Sequence, residues 1–189
     1  MKLSIIVPFF NEENIIQKMY DALVAEVNKI TKAEFEIIFI NVGSTDGSAS
    51  ICQRYQNQDA RVKVYHKRNG GVSSSRNRAL EVVTGDYIVF ADNDDWLELD
   101  HIQNLYDLLK KTDADIAIGN FTQFLDDQAS FLIHVGADDY FEKTYTPFEW
   151  FNHKYDSKYN FSQCFTVPWE KLYKTELFKD ILYTTDKSV

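Results

Sequence analysis

The first half of the chain alternates short apolar runs with longer amphipathic stretches. Leu3 to Val7 is apolar apart from Ser4 and stops at Pro8, which predicts a buried strand and then a loop. Ile15, Ile16, Met19, Tyr20, Leu23, Val24 and Val27 recur at helical spacing. Asn11 is placed to cap that helix, with Glu12 and Glu13 in the first turn, where the helix dipole favours acids. Phe35 to Ile40 predicts a second strand, and the turn Gly43-Ser44-Thr45-Asp46-Gly47-Ser48 opens a helix from about Ser48 to Gln56. Val62 to Tyr65 is the third strand; Asn69-Gly70-Gly71 breaks the chain before a helix from about Ser73 to Val83, stopped by Gly85. Tyr87 to Ala91 is the fourth strand. Asp100 to Lys111 reads as another amphipathic helix, through Ile102, Leu105, Tyr106 and Leu109, and Ile116 to Ile118 as a short strand.

Strand and helix in strict alternation predict an α/β fold: a Rossmann-like, mostly parallel sheet with helices on both faces and right-handed crossovers. The pattern changes after Phe121. Phe124 to Val135 has the form of a hairpin around Asp126-Asp127-Gln128, and from Asp138 onward 14 of the 28 aromatic residues fall within 52 positions. Such rings stack against sugars or pack over a sheet edge, and both readings stay open for Trp150, Trp169 and Tyr173. Left exposed, they would also form a homodimer surface. The expected division is residues 1–120 as a ligand-binding α/β half and 121–189 as a further segment of the same domain, read as incomplete.

Composition narrows the partners. A net charge of −9 argues against nucleic acid. Cys52 and Cys164 lack metal spacing and read as two reduced thiols, as in a cytoplasmic protein. No run of about 18 apolar residues is present. The expected location is the cytoplasm, with peripheral association at the inner membrane face where the acceptor is membrane-bound.

The fourth strand ends in Asp92, Asp94 and Asp95, three carboxylates within four residues, at the edge where open α/β sheets bind ligands. Like charges this close are tolerated around a cation, and hard oxygens favour Mg²⁺, Mn²⁺ or Ca²⁺, often shared with substrate phosphate. A solvated acidic turn capping the next helix is the competing explanation. An EF-hand loop is excluded, because Leu97 stands where glycine is needed and Gln103 where the last acid is needed. A phosphatase with Asp92 as nucleophile and Asp94 as acid is a further alternative, although that motif belongs on a first strand. Pro8 to Glu12, Asn41 to Asp46 and Asp92 to Asp95 should converge at the same edge. The Gly70-Gly71 turn should join them, with Arg76 and Arg78 suited to phosphate.

These residues carry a resemblance. Ser4-Ile5-Ile6-Val7-Pro8-Phe9-Phe10-Asn11-Glu12, the Gly43 to Ser48 turn, Asn69 to Asn77, Asp92-Asn93-Asp94-Asp95-Trp96-Leu97 and Trp169-Glu170-Lys171-Leu172-Tyr173 are similar, in order, to the segments of family-two glycosyltransferases of GT-A fold. The resemblance implies inverting transfer of a sugar from a nucleotide diphosphate, most often UDP, to a carbohydrate, lipid-linked or protein acceptor in polysaccharide or glycoconjugate synthesis. It places Pro8, Phe10 and Glu12 at the nucleoside, Ser75 and Arg76 at the nucleotide, Asp92 near ribose and sugar, and Trp169 at the substrate. Asp94 and Asp95 would hold Mg²⁺ or Mn²⁺ on the diphosphate. Two departures stand out. Val42 replaces the family's usual aspartate at the uracil, which weakens uridine recognition, shifts it to Asn41 or changes the base preference. The Glu-Asp pair expected to supply the catalytic base is not matched, and Asp138, Asp139 and Asp186 are acidic stand-ins without a motif. The alternative function is therefore a catalytically impaired nucleotide-sugar-binding module.

Overall fold

The computed structural model describes every residue except 31–32, 94, 96–97, 99, 134–135, 137, 139, 157–160 and 186–189, and the side chains of Asp126 and Phe161. Its centre is a six-stranded sheet that runs, edge to edge, through Val62–His66 (β3), Glu34–Asn41 (β2), Lys2–Phe9 (β1), Tyr87–Phe90 (β4), Lys171–Lys174 (β8) and Ile116–Ile118 (β5). β1 (Lys2–Phe9), β2 (Glu34–Asn41), β3 (Val62–His66) and β4 (Tyr87–Phe90) run parallel. β8 (Lys171–Lys174) runs antiparallel between β4 and β5 (Ile116–Ile118). A small second sheet pairs β6 (Gln123–Leu125) with β7 (Ser130–Ile133) around a 3₁₀ turn at Asp126–Gln128, the hairpin expected from sequence.

Side-chain alternation along the strands feeds two cores. Leu3, Ile5, Val7 and Phe9 of β1 and Ile37 and Phe39 of β2 face α1 (Ile16–Val27), α2 (Ser48–Gln58) and α4 (His101–Thr112), through Ile16, Leu23, Cys52, Ile102, Leu105 and Leu109. Ile6, Ile38, Ile40, Val42, Ile88 and Phe90 point the other way, onto Ala79 of α3 (Gly71–Leu80) and Tyr173. Both faces of a parallel sheet must be covered, which is why its strands lack polar alternation.

Three local expectations change. Asn11 does not cap α1. It adopts φ 58°, its amide accepts from the Thr45 N–H (2.8 Å), and its own N–H donates to Ser44 Oγ (3.0 Å), so it fastens the β1 loop to the β2 loop. α3 begins two residues early, at Gly71, because Gly71 takes φ 81° and donates its N–H to Asn69 Oδ1 (3.0 Å). The strand at Lys171 was not foreseen: four residues with lysine at each end carry no β signal, and only long-range pairing with β4 and β5 creates it.

The aromatic segment packs in part and stays exposed in part. Trp150, on α5 (Pro147–His153), donates Nε1–H to the Phe165 carbonyl, and Trp169 meets Phe121 edge-on at 5.0 Å between centroids. Phe148, Phe151 and Tyr155 stay exposed. A short helix, α6 (Phe161–Cys164), precedes β8. Among the described residues no helix is long and apolar enough to cross a membrane.

Candidate functional site

The carboxyl ends of β1, β2 and β4 bring three loops to one edge. β1 delivers Pro8 half-buried, Phe10 exposed at 46% and Glu12 half-buried, with the Glu12 N–H donating to Ser48 Oγ (2.9 Å). β2 ends at Asn41, which is buried with its Oδ1 accepting from the Ser44 N–H (3.0 Å). The residue after it, Val42, is only 6% exposed and packs into the core over α3 rather than toward the edge. Glu13 Oε2 accepts from the Gly47 N–H (2.6 Å), so a carboxylate from the first loop caps α2.

β4 delivers Asp92. Arg76 of α3 reaches it, with Nη2 3.3 Å from Asp92 Oδ1. The guanidinium is nearly buried, lying 5.9 Å from the Phe90 ring centre and 5.6 Å from that of Tyr183. Tyr183 is held there by a reciprocal pair with the Asn77 amide (2.8 and 2.9 Å), and its burial raises its hydroxyl pKa. Arg76 is therefore a fixed positive group oriented by aromatic faces, not a solvated arginine. Arg78 instead pairs with Glu81 on the helix surface. Ser75 is fully buried, its hydroxyl donating to the Gly71 carbonyl (3.0 Å).

Sequence reasoning passed over two groups beside this tip. β8 lies antiparallel to β4, in register Val89 with Leu172, and Glu170 immediately precedes it. Glu170 takes φ 59°, its carbonyl accepts from the Gly119 N–H (2.8 Å), and its carboxyl lies 3.4 Å from His101 Nε2. Burial first, and the charge of Asp95 second, push Glu170 up to about 7. Burial lowers His101 as well. A β-carbon on Gly119 would come within 3.1 Å of His101 and 3.3 Å of Glu170, so glycine is what lets this pair close. A glutamate next to a tryptophan gives no sequence signal of burial; only the paired register does.

Asp94, an expected metal ligand, lies outside the described residues, as do Asp139 and Asp186; Asp138 is exposed. Among the described residues no three His, Cys, Asp or Glu side chains come together to hold an ion. The surroundings nevertheless suit a hard divalent cation. Asp92 and Asp95 offer carboxylate oxygens to such an ion, and the buried Asn93 side-chain nitrogen, a donor with no partner among the described residues, suits a phosphate oxygen beside it.

Comparison with known proteins places this geometry. The model for glycosyl transferase family 2 matches residues 4–182. Glycosyltransferase GlyA of Streptococcus pneumoniae is 34% identical over 98% of this chain, which covers 26% of that protein. Glycosyltransferase GlyG of the same organism is 32% identical over 98% of this chain and 60% of its own length. The chain thus spans roughly a quarter and three-fifths of these relatives. The crystal structure of Staphylococcus aureus TarS residues 1–349 in complex with UDP-GlcNAc superposes with a TM-score of 0.69 at 23% identity, over 95% of this chain and 47% of that one. The family match over residues 4–182, the relatives at 34% and 32% identity and the structural likeness lead to one conclusion: the chain belongs to glycosyltransferase family 2, with its GT-A fold.

Proposed function

We propose that the chain transfers a sugar from a nucleoside diphosphate donor, a UDP-sugar first, to an acceptor hydroxyl with inversion at the anomeric carbon, in synthesis of a polysaccharide or glycoconjugate. The observation that carries this is Asp92 at the tip of β4 locked to a buried Arg76, beside the interlocked β1 and β2 loops. The β1 and β2 loops supply the nucleoside side, with Pro8, Phe10, Glu12 and Asn41 along it. Arg76 faces the diphosphate and holds Asp92 toward ribose and sugar. Asp94 and Asp95 would hold Mg²⁺ or Mn²⁺, which would stabilise the negative charge developing on the leaving diphosphate. The acceptor oxygen attacks the anomeric carbon, its proton passes to a carboxylate, and the carbon–phosphate oxygen bond breaks with the electron pair leaving on the nucleoside diphosphate. Residues 1–120 form the donor half and 121–189 the acceptor side, with Trp169 at the boundary. The TarS complex with UDP-GlcNAc supports a UDP-sugar donor.

The test is incubation with a panel of nucleotide sugars, Mn²⁺ and candidate acceptors. Release of nucleotide that is lost in Asp94→Ala is the expected result. Absence of both release and metal-dependent nucleotide binding overturns the proposal. One observation favours a second outcome: with Val42 in the core, the base loses the carboxylate that the family resemblance would give it. Metal-dependent UDP binding without turnover would identify a binding module instead.

A further inference from the structure

α4 starts without a cap of its own. Its N-cap residue, Asp100, is left-handed at φ 72° and makes no side-chain capping bond. The cap comes from another helix. Glu26 of α1, 3% exposed, accepts from the Asp100 N–H through Oε2 (3.0 Å) and from the Ile102 N–H through Oε1 (3.3 Å). Lys29 Nζ bridges the two carboxylates, 4.0 Å from Glu26 and 3.9 Å from Asp100. Next door, His101 contacts Glu170, the residue before β8. Glu26 lies between Leu23 and Val27 on the core-facing side of α1, where packing alone would call for an apolar residue. A buried carboxylate is retained there only because the amides of α4 satisfy it.

The consequence reaches the site. In the chain the acidic motif lies in the segment between β4 and α4. Its near end is fixed by the Ala91 N–H on the Ile6 carbonyl (3.0 Å) and by Arg76 on Asp92. Its far end is fixed by Glu26. We propose that Glu26 is a positioning residue of the transfer site: by capping α4 from α1 it anchors Asp100, the far end of the segment that carries the acidic motif, and so sets how the motif's carboxylates meet metal and diphosphate. This rests on the function proposed above.

The experiment compares wild type, Glu26→Gln and a control, Asp59→Asn, which loosens the Asp59–Arg61 pair at the opposite edge of the sheet. Two quantities are measured: calorimetric affinity for the tightest of UDP, GDP and CDP with Mn²⁺, and amide hydrogen exchange over residues 92–102 without ligand. E26Q should weaken metal-dependent binding about tenfold, in the range of second-layer ligand effects, and speed exchange across 92–102, whereas D59N at a matched melting temperature does neither. Equal binding in E26Q and D59N, or unchanged exchange in E26Q, overturns the positioning role. Should wild type bind no nucleotide, the proposed function falls and the exchange measurement still decides the clamp. Should E26Q fail to fold, Glu26→Asp, one methylene short of both amides, is put through the same two measurements.

Discussion

Replacing Val42 by aspartate restores the residue that the family resemblance leads one to expect, and the structure says that it will harm rather than help. Val42 is 6% exposed and packs with Ile40, Ala79 and Phe90, while its N–H donates to the Phe9 carbonyl (2.9 Å). Removing a buried valine side chain forfeits about 1.5–3 kcal/mol of burial. A carboxyl left in that apolar space without partners adds about 1–3 kcal/mol even when protonated. Val42→Asp should therefore lose about 3–6 kcal/mol, a large part of a domain's stability. Urea unfolding at pH 7 measures this directly, and titration with UDP and Mn²⁺ measures the site. The expected outcome is a lower midpoint with an unchanged slope, and no gain in UDP affinity. A variant as stable as wild type that binds UDP tenfold more tightly would show that position 42 turns toward the base, and would refute the argument.

Two further outcomes follow from buried acids. Burial alone would raise Glu36, but hydrogen bonds from Lys63, Ser4 and Thr84 outweigh it and hold the carboxyl at about 2, against 4.5 ordinarily. Its stabilisation is complete above about pH 5 and is lost as pH falls toward 2, about 3 kcal/mol in all; Glu36→Gln should be less stable at pH 7 and show no such acid slope in circular dichroism melts. Glu170 is shifted the other way, from 4.5 up to about 7, so the metal-free fold holds its proton more tightly than the unfolded chain. Stability should then fall by about 3 kcal/mol as pH rises from 4.5 to 7, and Glu170→Gln should flatten that window and be the more stable protein at pH 8; a wild-type profile already flat there would contradict the burial of Glu170.

Much of the molecule is written in local pattern. The apolar runs at Leu3, Phe35, Val62 and Tyr87, each followed by helical spacing, determine a parallel sheet with two covered faces, because the first, second and fourth are apolar on both sides over most of their length and only the edge strand at Val62 carries a lysine. The acidic run after Ala91 and the glycines before Arg76 determine that a charged site forms at the carboxyl edge. What local pattern does not contain is which distant groups meet there. Asn11 reads as a helix cap and is instead a tie between loops; Lys171 to Lys174 gives no strand signal and becomes the strand between β4 and β5; Glu26 and Glu170 give no sign of burial in the sequence and are buried partners of α4. These roles depend on contacts between residues about 30 to 85 positions apart, and no periodicity records such a separation. The chain's own chemistry chose the fold and the place of the site, and only tertiary packing decided which side chains hold it in shape.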